Sequence, residues 1–368
     1  MKDCKLESSK SYAKYLMKKY LINTAEYKTA DNKNDLKKIL EDIGLPCYIK
    51  ADGLAAGNNL VSQPTADSSS PSGCSPFQNA TQKNPLTPTA YREFFLGQLS
   101  AIKAETEEEY FKISNKYLDG YFGKSSQKII VEKYIKGIEV SIPLILDGKN
   151  IKIFNIVRDY KRRNNQDKGS NTGSMGAYCP YILTKKQMQL VENLIKKLEF
   201  MLPKENHLYK GFMTINVILT DNDIYLLEIN TRLGDSEGQT VLKLLNDDLF
   251  EIFNLILKGQ IENYIPDFKI GFSMSLNIIN KTYPEIRIPK KAYITKSSVQ
   301  RIINNGIDVF FYNRIKQNNK TYIQMNDRFL SLCAYHQNLD SLSRLLNNAA
   351  SSLSSRNVYC RTDLGVNR

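Results

Sequence analysis

Histidine is nearly absent. The 368 residues hold two, His207 and His336, far apart and in no recognisable motif, which argues against a histidine-based catalytic centre. Long apolar runs are also missing. No stretch approaches the roughly 20 apolar residues that a membrane-spanning helix needs. The opening Met1-Lys2-Asp3-Cys4-Lys5 leads into a polar segment and not into the apolar core of a secretory signal. A cytoplasmic protein with no membrane partner is expected. Cysteine is sparse and scattered, at positions 4, 47, 74, 179, 333 and 360. No pair has metal-site spacing, and a chain of this size needs no disulfide framework.

Charge and apolar content are ordinary for a folded protein, with 42% apolar and 24% charged residues. The length suggests two or three domains. Lys and Arg total 51 against 38 Asp and Glu, a net charge of +13. A basic field favours anionic partners. The lysines are dispersed and form no arm or stripe, so no nucleic-acid partner is expected.

The coarse pattern is α+β with several sheets and no internal repeats. Residues 5–20 read as an entry helix, with Leu6, Tyr12, Tyr15, Leu16 and Tyr20 on one face. Extended pieces at 25–27 and 47–50 flank a helix over 35–43. Residues 58–99 are mostly Ser/Pro/Thr-rich and nearly uncharged, a composition that buries little apolar surface and reads as an insertion. Beyond it come a Glu-rich helix at 105–121 and strands at 129–131 and 135–146. Thr184 and Gln187 form a capping box at the start of a helix. Strands at 212–219 and 224–229 make a hairpin through Asp221-Asn222-Asp223. A helix over 247–258 stops at Gly259, strands follow at 273–278 and 309–312, and a last helix covers 339–353.

Four segments can carry chemistry. Ile49-Lys50-Ala51-Asp52-Gly53-Leu54-Ala55-Ala56-Gly57 is a strand entering a small-residue loop, where backbone N–H groups and a lysine can approach phosphate. Its order of lysine and glycines is not that of a Walker A loop. Val131 to Glu139 is a strand, a bend and an acidic residue. Arg158-Asp159-Tyr160-Lys161-Arg162-Arg163 reads as a solvated basic run before the tight polar loop Asn171-Thr172-Gly173-Ser174-Met175-Gly176. In Glu228-Ile229-Asn230-Thr231-Arg232-Leu233-Gly234-Asp235, strand alternation puts Glu228 and Asn230 on one face and sends Leu227 and Ile229 to the core. A carboxylate with an amide oxygen suits Mg²⁺, nucleotide phosphates completing the shell. Arg232 extends that face toward phosphate. Each segment, taken singly, also fits a plain turn or a solvated edge strand.

Taken together and in order, KADGLAAG, VEKYIKGIEVS, RDYKR with NTGSMGAY, LLEINTRLGDSEGQ and the closing RTDLG resemble the phosphoribosylamine–glycine ligase family of the ATP-grasp superfamily. The resemblance covers nearly all the chain except 58–99. It implies an α+β ATP-grasp fold: an entry helix at 1–21, a small lobe over 22–137 carrying the insertion, a large lobe over 138–267, and a C-terminal β-rich domain over 268–368. It implies ATP with Mg²⁺ or Mn²⁺ as cofactors, and glycine and 5-phosphoribosylamine as substrates. Lys10 and Lys50 match phosphate-contacting lysines, with Gly53 in the phosphate loop. Glu132, Lys133, Tyr134 and Ile135 match the adenine-framing segment, and Glu139 the ribose-binding acid. Glu228 and Asn230 match the metal ligands. Asn171, Thr172, Gly173, Arg232 and Asp235 match the region where the substrates react, with Lys50, Arg232 and Asp235 in the chemistry.

The chain departs from that family pattern in three ways. The family carries a further N-terminal domain before the entry helix, which a separate chain, a truncated product or a partial gene model would each explain. Asn58-Asn59 and the Ser/Pro-rich stretch interrupt the phosphate loop. Tyr160, Lys133, Ser174, Ser236 and Gly238 differ from the usual residues. An active ligase and an inactive ATP-binding remnant both remain open at this stage.

Overall fold

The computed structural model describes residues 3–54, 101–284, 290–312, 315–324 and 327–366. The expected insertion at 58–99 and the tip of the first loop at 55–57 lie outside the described residues. Among the described residues no helix is long and apolar enough to cross a membrane.

Where periodicity predicts one entry helix there are two, α1 (Lys5–Ser8) and α2 (Lys10–Lys19). Extended Ser9 separates them, and its side chain caps α2 by accepting from the Tyr12 N–H. The break resets the helical phase. Leu6, Ala13, Leu16 and Met17 are buried, while Tyr15 remains 56% exposed and leaves the expected stripe.

The first sheet contains β1 (Tyr27–Ala30), β2 (Cys47–Ala51), β3 (Ala101–Ala104) and β4 (Ile129–Lys133), in the order β1-β4-β2-β3 and antiparallel throughout. Helices α3 (Leu36–Ile43) and α4 (Glu107–Leu118) cover one face, packing Leu36, Ile39, Tyr110 and Ile113 with Cys47, Ile49, Ile129 and Val131. The two-residue strand period then places Tyr48, Lys50, Ile130 and Glu132 on the opposite face.

A second sheet has the order β12-β11-β5-β6, from β5 (Ile138–Asp147), β6 (Ile151–Ile153), β11 (Lys210–Leu219) and β12 (Ile224–Asn230). Between β6 and β11 in sequence lie β7 (Arg158–Asp159), β8 (Arg162–Asn164), β9 (Lys168–Asn171), β10 (Gly176–Cys179) and helix α5 (Lys185–Lys204). Helices α2 and α5 share a core with one face of this sheet: Leu16, Val191 and Leu198 meet Ile142, Leu144, Ile215 and Val217. The capping box at Thr184 and Gln187 is present. Thr184→Ala is expected to cost about 1 kcal/mol, read as a lowered denaturation midpoint with nucleotide affinity unchanged.

Helices α6 (Asp235–Leu244) and α7 (Leu249–Lys258) follow; Asp248 caps α7, and Gly259 ends it in the left-handed conformation with φ 70°. The remaining chain holds β13 (Phe272–Asn280), β14 (Ala292–Thr295), α8 (Lys296–Asn304), β15 (Asp308–Phe311), β16 (Lys316–Gln317), β17 (Thr321–Gln324), β18 (Arg328–His336), α9 (Leu339–Ser352), β19 (Ser355–Arg356) and β20 (Val358–Tyr359). One sheet runs β15-β18-β13-β10-β7, with β20 on β13, and another runs β16-β17-β14-β19. Because β7 and β10 pair into the first of these, segments 138–267 and 268–368 share a sheet.

Candidate active site

The polar faces of the first two sheets and the third sheet's near edge enclose one cleft of about 1040 Å³. Lys10, Lys50, Glu132, Lys133, Tyr134, Ile135, Glu139, Asn171, Thr172, Gly173, Glu228, Asn230, Arg232 and Asp235 all line it. Gly53 lies just beside it, accepting at its carbonyl from Lys10 Nζ at 3.1 Å. A Cβ at Gly53 would come within 2.8 Å of Ser125 Cα, so the close approach requires glycine. Asp52 anchors the same turn to α2, accepting from the Ser11 N–H at 2.6 Å and from Ser9 Oγ at 3.2 Å.

Charge is arranged in two buried groups. In the first, Glu132 is 2% exposed and sits between Lys50, at 2.7 Å, and Lys14, at 3.1 Å. Its carboxylate is therefore committed to two lysines. Burial alone would raise the Glu132 pKa, but the two lysines hold it below the usual carboxylate range. Burial would likewise lower Lys50, and Glu132 and Glu228 override it, raising Lys50. Lys14 lies deeper, and burial pushes it down to about 8 against the pull of Glu132.

The second group contains Asp159, Lys161 and Glu237. Lys161 is ion-paired with Asp159 and lies 3.9 Å from Glu237, which accepts from Ser141 Oγ at 3.0 Å. Burial, then the neighbouring Asp159, pushes the Glu237 carboxyl up. Burial also pushes Glu139 up, with Lys161 opposing it. The run 158–163, which reads as solvated from sequence, is instead built into the cleft wall: Asp159 is 2% exposed and Lys161 lines the cavity.

On β12, Glu228 and Asn230 lie side by side, Asn230 Nδ2 being 3.5 Å from Glu228 Oε1. Burial would raise the Glu228 pKa, but Lys50, Lys161 and Lys10 keep it low, so the carboxylate stays ionised. Asn216 faces Glu228 across the ladder. It is 2% exposed, lines the cleft, and its Oδ1 has no hydrogen-bond partner. A carboxylate, an amide and a second unpartnered amide oxygen on one surface fit a hard divalent cation. Among the described residues no cluster of three or more His, Cys, Asp or Glu offers an alternative.

Leu227 departs from its expected place. A bulge shifts the pairing register between Asn216 and Val217, leaving Leu227 unpaired while Leu226 takes the core position opposite Val217. Leu227 consequently lines the cleft beside Glu228. Simple alternation cannot anticipate this, because one inserted residue reverses the parity of all that precede it.

The loop 171–176 is held at several points. Gly173 N–H donates to Tyr283 Oη at 2.9 Å, and Thr172 Oγ1 to the Lys161 carbonyl at 2.8 Å. Ser174, at φ 133°, donates from Oγ to Asp159 at 2.6 Å. Arg232 points partly outward, its Nε donating to Glu7 at 3.0 Å with the side chain 57% exposed. Asp235 opens α6 and accepts from Arg328 at 2.6 Å. The Lys133 side chain is 59% exposed, with Nζ 3.9 Å from Glu26. The closing RTDLG has a structural function: Arg361, 1% exposed, donates to Asp167 and Asp363 at 2.7 and 2.8 Å, fixing the β8–β9 hairpin against the cleft.

The paired antiparallel lobes, with Lys50 on one and the Glu228–Asn230 pair on the other, define an α+β ATP-grasp protein. The family model for the phosphoribosylglycinamide synthetase ATP-grasp (A) domain matches residues 8–71 and 96–238. The chain belongs to that family. Among curated relatives, a phosphoribosylamine–glycine ligase of Clostridium acetobutylicum is 29% identical over 365 residues, spanning 99% of this chain and 76% of its own. One from Leptospira interrogans is 28% identical, spanning 98% and 75%. In fold the chain is similar to the crystal structure of phosphoribosylamine–glycine ligase from Thermotoga maritima, with TM-score 0.74, 24% identity, and coverage of 98% and 80%. It is also similar to a biotin carboxylase domain from Hydrogenobacter thermophilus, solved with MgADP and bicarbonate, with TM-score 0.60, 16% identity, and coverage of 96% and 67%.

Proposed function

We propose that this protein joins glycine to 5-phosphoribosylamine at the expense of ATP, the step of purine synthesis for which its relatives are named. The observation that carries this reading is the convergence of Lys10 and Lys50, Glu228 with Asn230, and the Asn171–Gly173 loop with Asp235 on one cleft. Phosphoryl transfer demands alignment and charge neutralisation more than a side-chain nucleophile. Lys50 and Lys10 supply fixed positive charge at the phosphates. Tyr134, Ile135 and Leu227, all lining the cleft, supply apolar surface suited to a purine, and the Glu139 carboxylate in the same lining would accept from a ribose hydroxyl. Glu228 and Asn230 would hold the divalent cation, magnesium or manganese, which when bound would neutralise phosphate oxygens of the nucleotide.

In the reaction so framed, a glycine carboxylate oxygen attacks the γ-phosphorus of ATP, giving glycyl phosphate and ADP. The amine of 5-phosphoribosylamine then attacks the glycyl carbonyl, loses a proton and displaces inorganic phosphate, leaving the amide. Release of ADP is expected only when glycine and freshly prepared 5-phosphoribosylamine are both present. Equal ADP release without either substrate would count against the reading.

A further inference from the structure

Lys14 takes no part in the scheme above. It lies on α2, is 1% exposed, and is not among the residues that line the cleft. Its ammonium meets two groups. One is Glu132 Oε1 on β4, 3.1 Å away, and Oε2 of the same carboxylate holds Lys50 Nζ at 2.7 Å. Oε1 accepts no hydrogen bond among the described residues, so the Lys14 charge is what compensates it. The other is Thr24 Oγ1, which accepts from Lys14 Nζ at 2.5 Å and donates to the Leu226 carbonyl at 2.6 Å. Leu226 is on β12, the strand of Glu228, and its N–H donates to the Asn23 carbonyl at 2.8 Å. A continuous polar relay therefore runs from Lys50 on the first sheet through Glu132, Lys14 and Thr24 to β12 on the second.

We propose, resting on the ligase reading above, that Lys14 is a positioning residue that fixes the spacing between Lys50 and the strand carrying Glu228. A buried ion pair contributes little net stability, because desolvation offsets most of the attraction. An apolar side chain would fill the same place on α2 without that cost. What the ammonium adds is direction, through N–H donors with fixed partners on β4 and in the segment that hydrogen-bonds β12. The first sheet and β12 share no strand ladder, so side-chain links of this kind set their separation. Phosphoryl transfer is sensitive to that separation. A flexible triphosphate can follow a shifted lysine in the ground state, whereas the transferring group must stay aligned with the attacking and leaving oxygens. The relay accordingly bears on turnover more than on nucleotide affinity.

The test compares T24V, T24S and K14M in the full chain. It reads kcat, the KM for ATP, MgADP affinity by calorimetry, and hydrogen exchange at the Leu226 amide. T24V keeps every charge and nearly the same shape while breaking the relay, so it covers the case of K14M failing to fold. Its kcat should fall by about 10- to 100-fold, the range for a misplacement of up to about 1 Å. The KM for ATP and the MgADP affinity should stay within about threefold, as for a group that acts in the transition state and not in binding. The Leu226 amide should exchange faster, because the Thr24 hydroxyl no longer holds its segment on β12. T24S returns the hydroxyl and should restore both kcat and slow exchange, and K14M should lower kcat further than T24V. A kcat in T24V equal to that of the unaltered chain, a loss confined to ATP affinity, or a T24S as impaired as T24V would each overturn the positioning role. In a chain that releases no ADP at all, Leu226 exchange left unchanged by T24V would overturn it too. ADP release that needs neither glycine nor 5-phosphoribosylamine, yet is slowed in T24V and restored in T24S, would instead sink the ligase reading and leave the relay standing.

Discussion

Glu228→Ala is expected to abolish magnesium-dependent ATP binding while leaving the fold intact. Glu228 is on the cleft face of β12, and the apolar neighbours that bury this strand, Leu226 and Ile229, point the other way. Removing its carboxylate therefore opens no core cavity. What it removes is the ionised oxygen donor beside Asn230, in a cleft where Lys10, Lys50 and Lys161 keep that donor charged. Loss of the charge neutralisation supplied by a catalytic cation is worth several kcal/mol, or about 10³-fold in turnover. Calorimetry with MgATP and with manganese alone should both report the loss, while the thermal midpoint without ligand moves little. Nucleotide affinity equal to that of the unaltered chain would remove the metal assignment.

Much of the architecture is legible in the sequence because local and global signals agree. The capping box at Thr184, the hairpin turning at Asp221-Asn222-Asp223 and the Gly259 stop are chemical punctuation, and each marks the expected boundary to within a few residues. The cleft face of the first sheet follows from period two alone, which already separates Lys50 from Ile49. The family resemblance carried by the order of motifs implies one site for Lys50, Glu228 and Asn230, and all three line one cleft. Three features are hidden for physical reasons. The bulge at Leu227 reverses parity with no residue that announces it. Asp159 and Lys161 sit in a charged run whose partners, Glu237 and Ser174, are far along the chain, so burial is invisible locally. Arg328 reaches Asp235 only because β18 joins β13 and β10 in one sheet, a tertiary pairing that no window of sequence contains.

The second large effect concerns stability, and it comes from Glu132. Its carboxylate is the shared counter-charge of Lys14 and Lys50, all three at most 8% exposed. Taking away one member of a buried ion pair leaves an uncompensated charge, at a cost of about 3–5 kcal/mol. Glu132→Gln removes the charge and keeps the shape, leaving Lys14 and Lys50 without their shared counter-charge at the cleft wall. A denaturant midpoint shift of that size is expected at neutral pH, accompanied by weaker nucleotide binding because Lys50 loses its anchor. The pH dependence separates this cause from simple mispacking. Burial would raise the Glu132 pKa, and the two lysines lower it overall. A carboxyl held below its unfolded value of about 4.3 binds fewer protons when folded. Its stabilising contribution is therefore fully present above that value and disappears as pH falls through the lowered folded value. The part of the difference between the unaltered chain and Glu132→Gln that comes from the carboxylate should accordingly stay constant down to about pH 5 and shrink below about 4. Lys14, pushed down to about 8 by burial even with Glu132 present, falls lower still in the variant and can shed its proton there, so the difference should also shrink as pH rises toward 8 and level off above it. A midpoint difference that stays flat from acid to alkaline pH would mean that packing, and not the buried charge triad, is what the substitution disturbs.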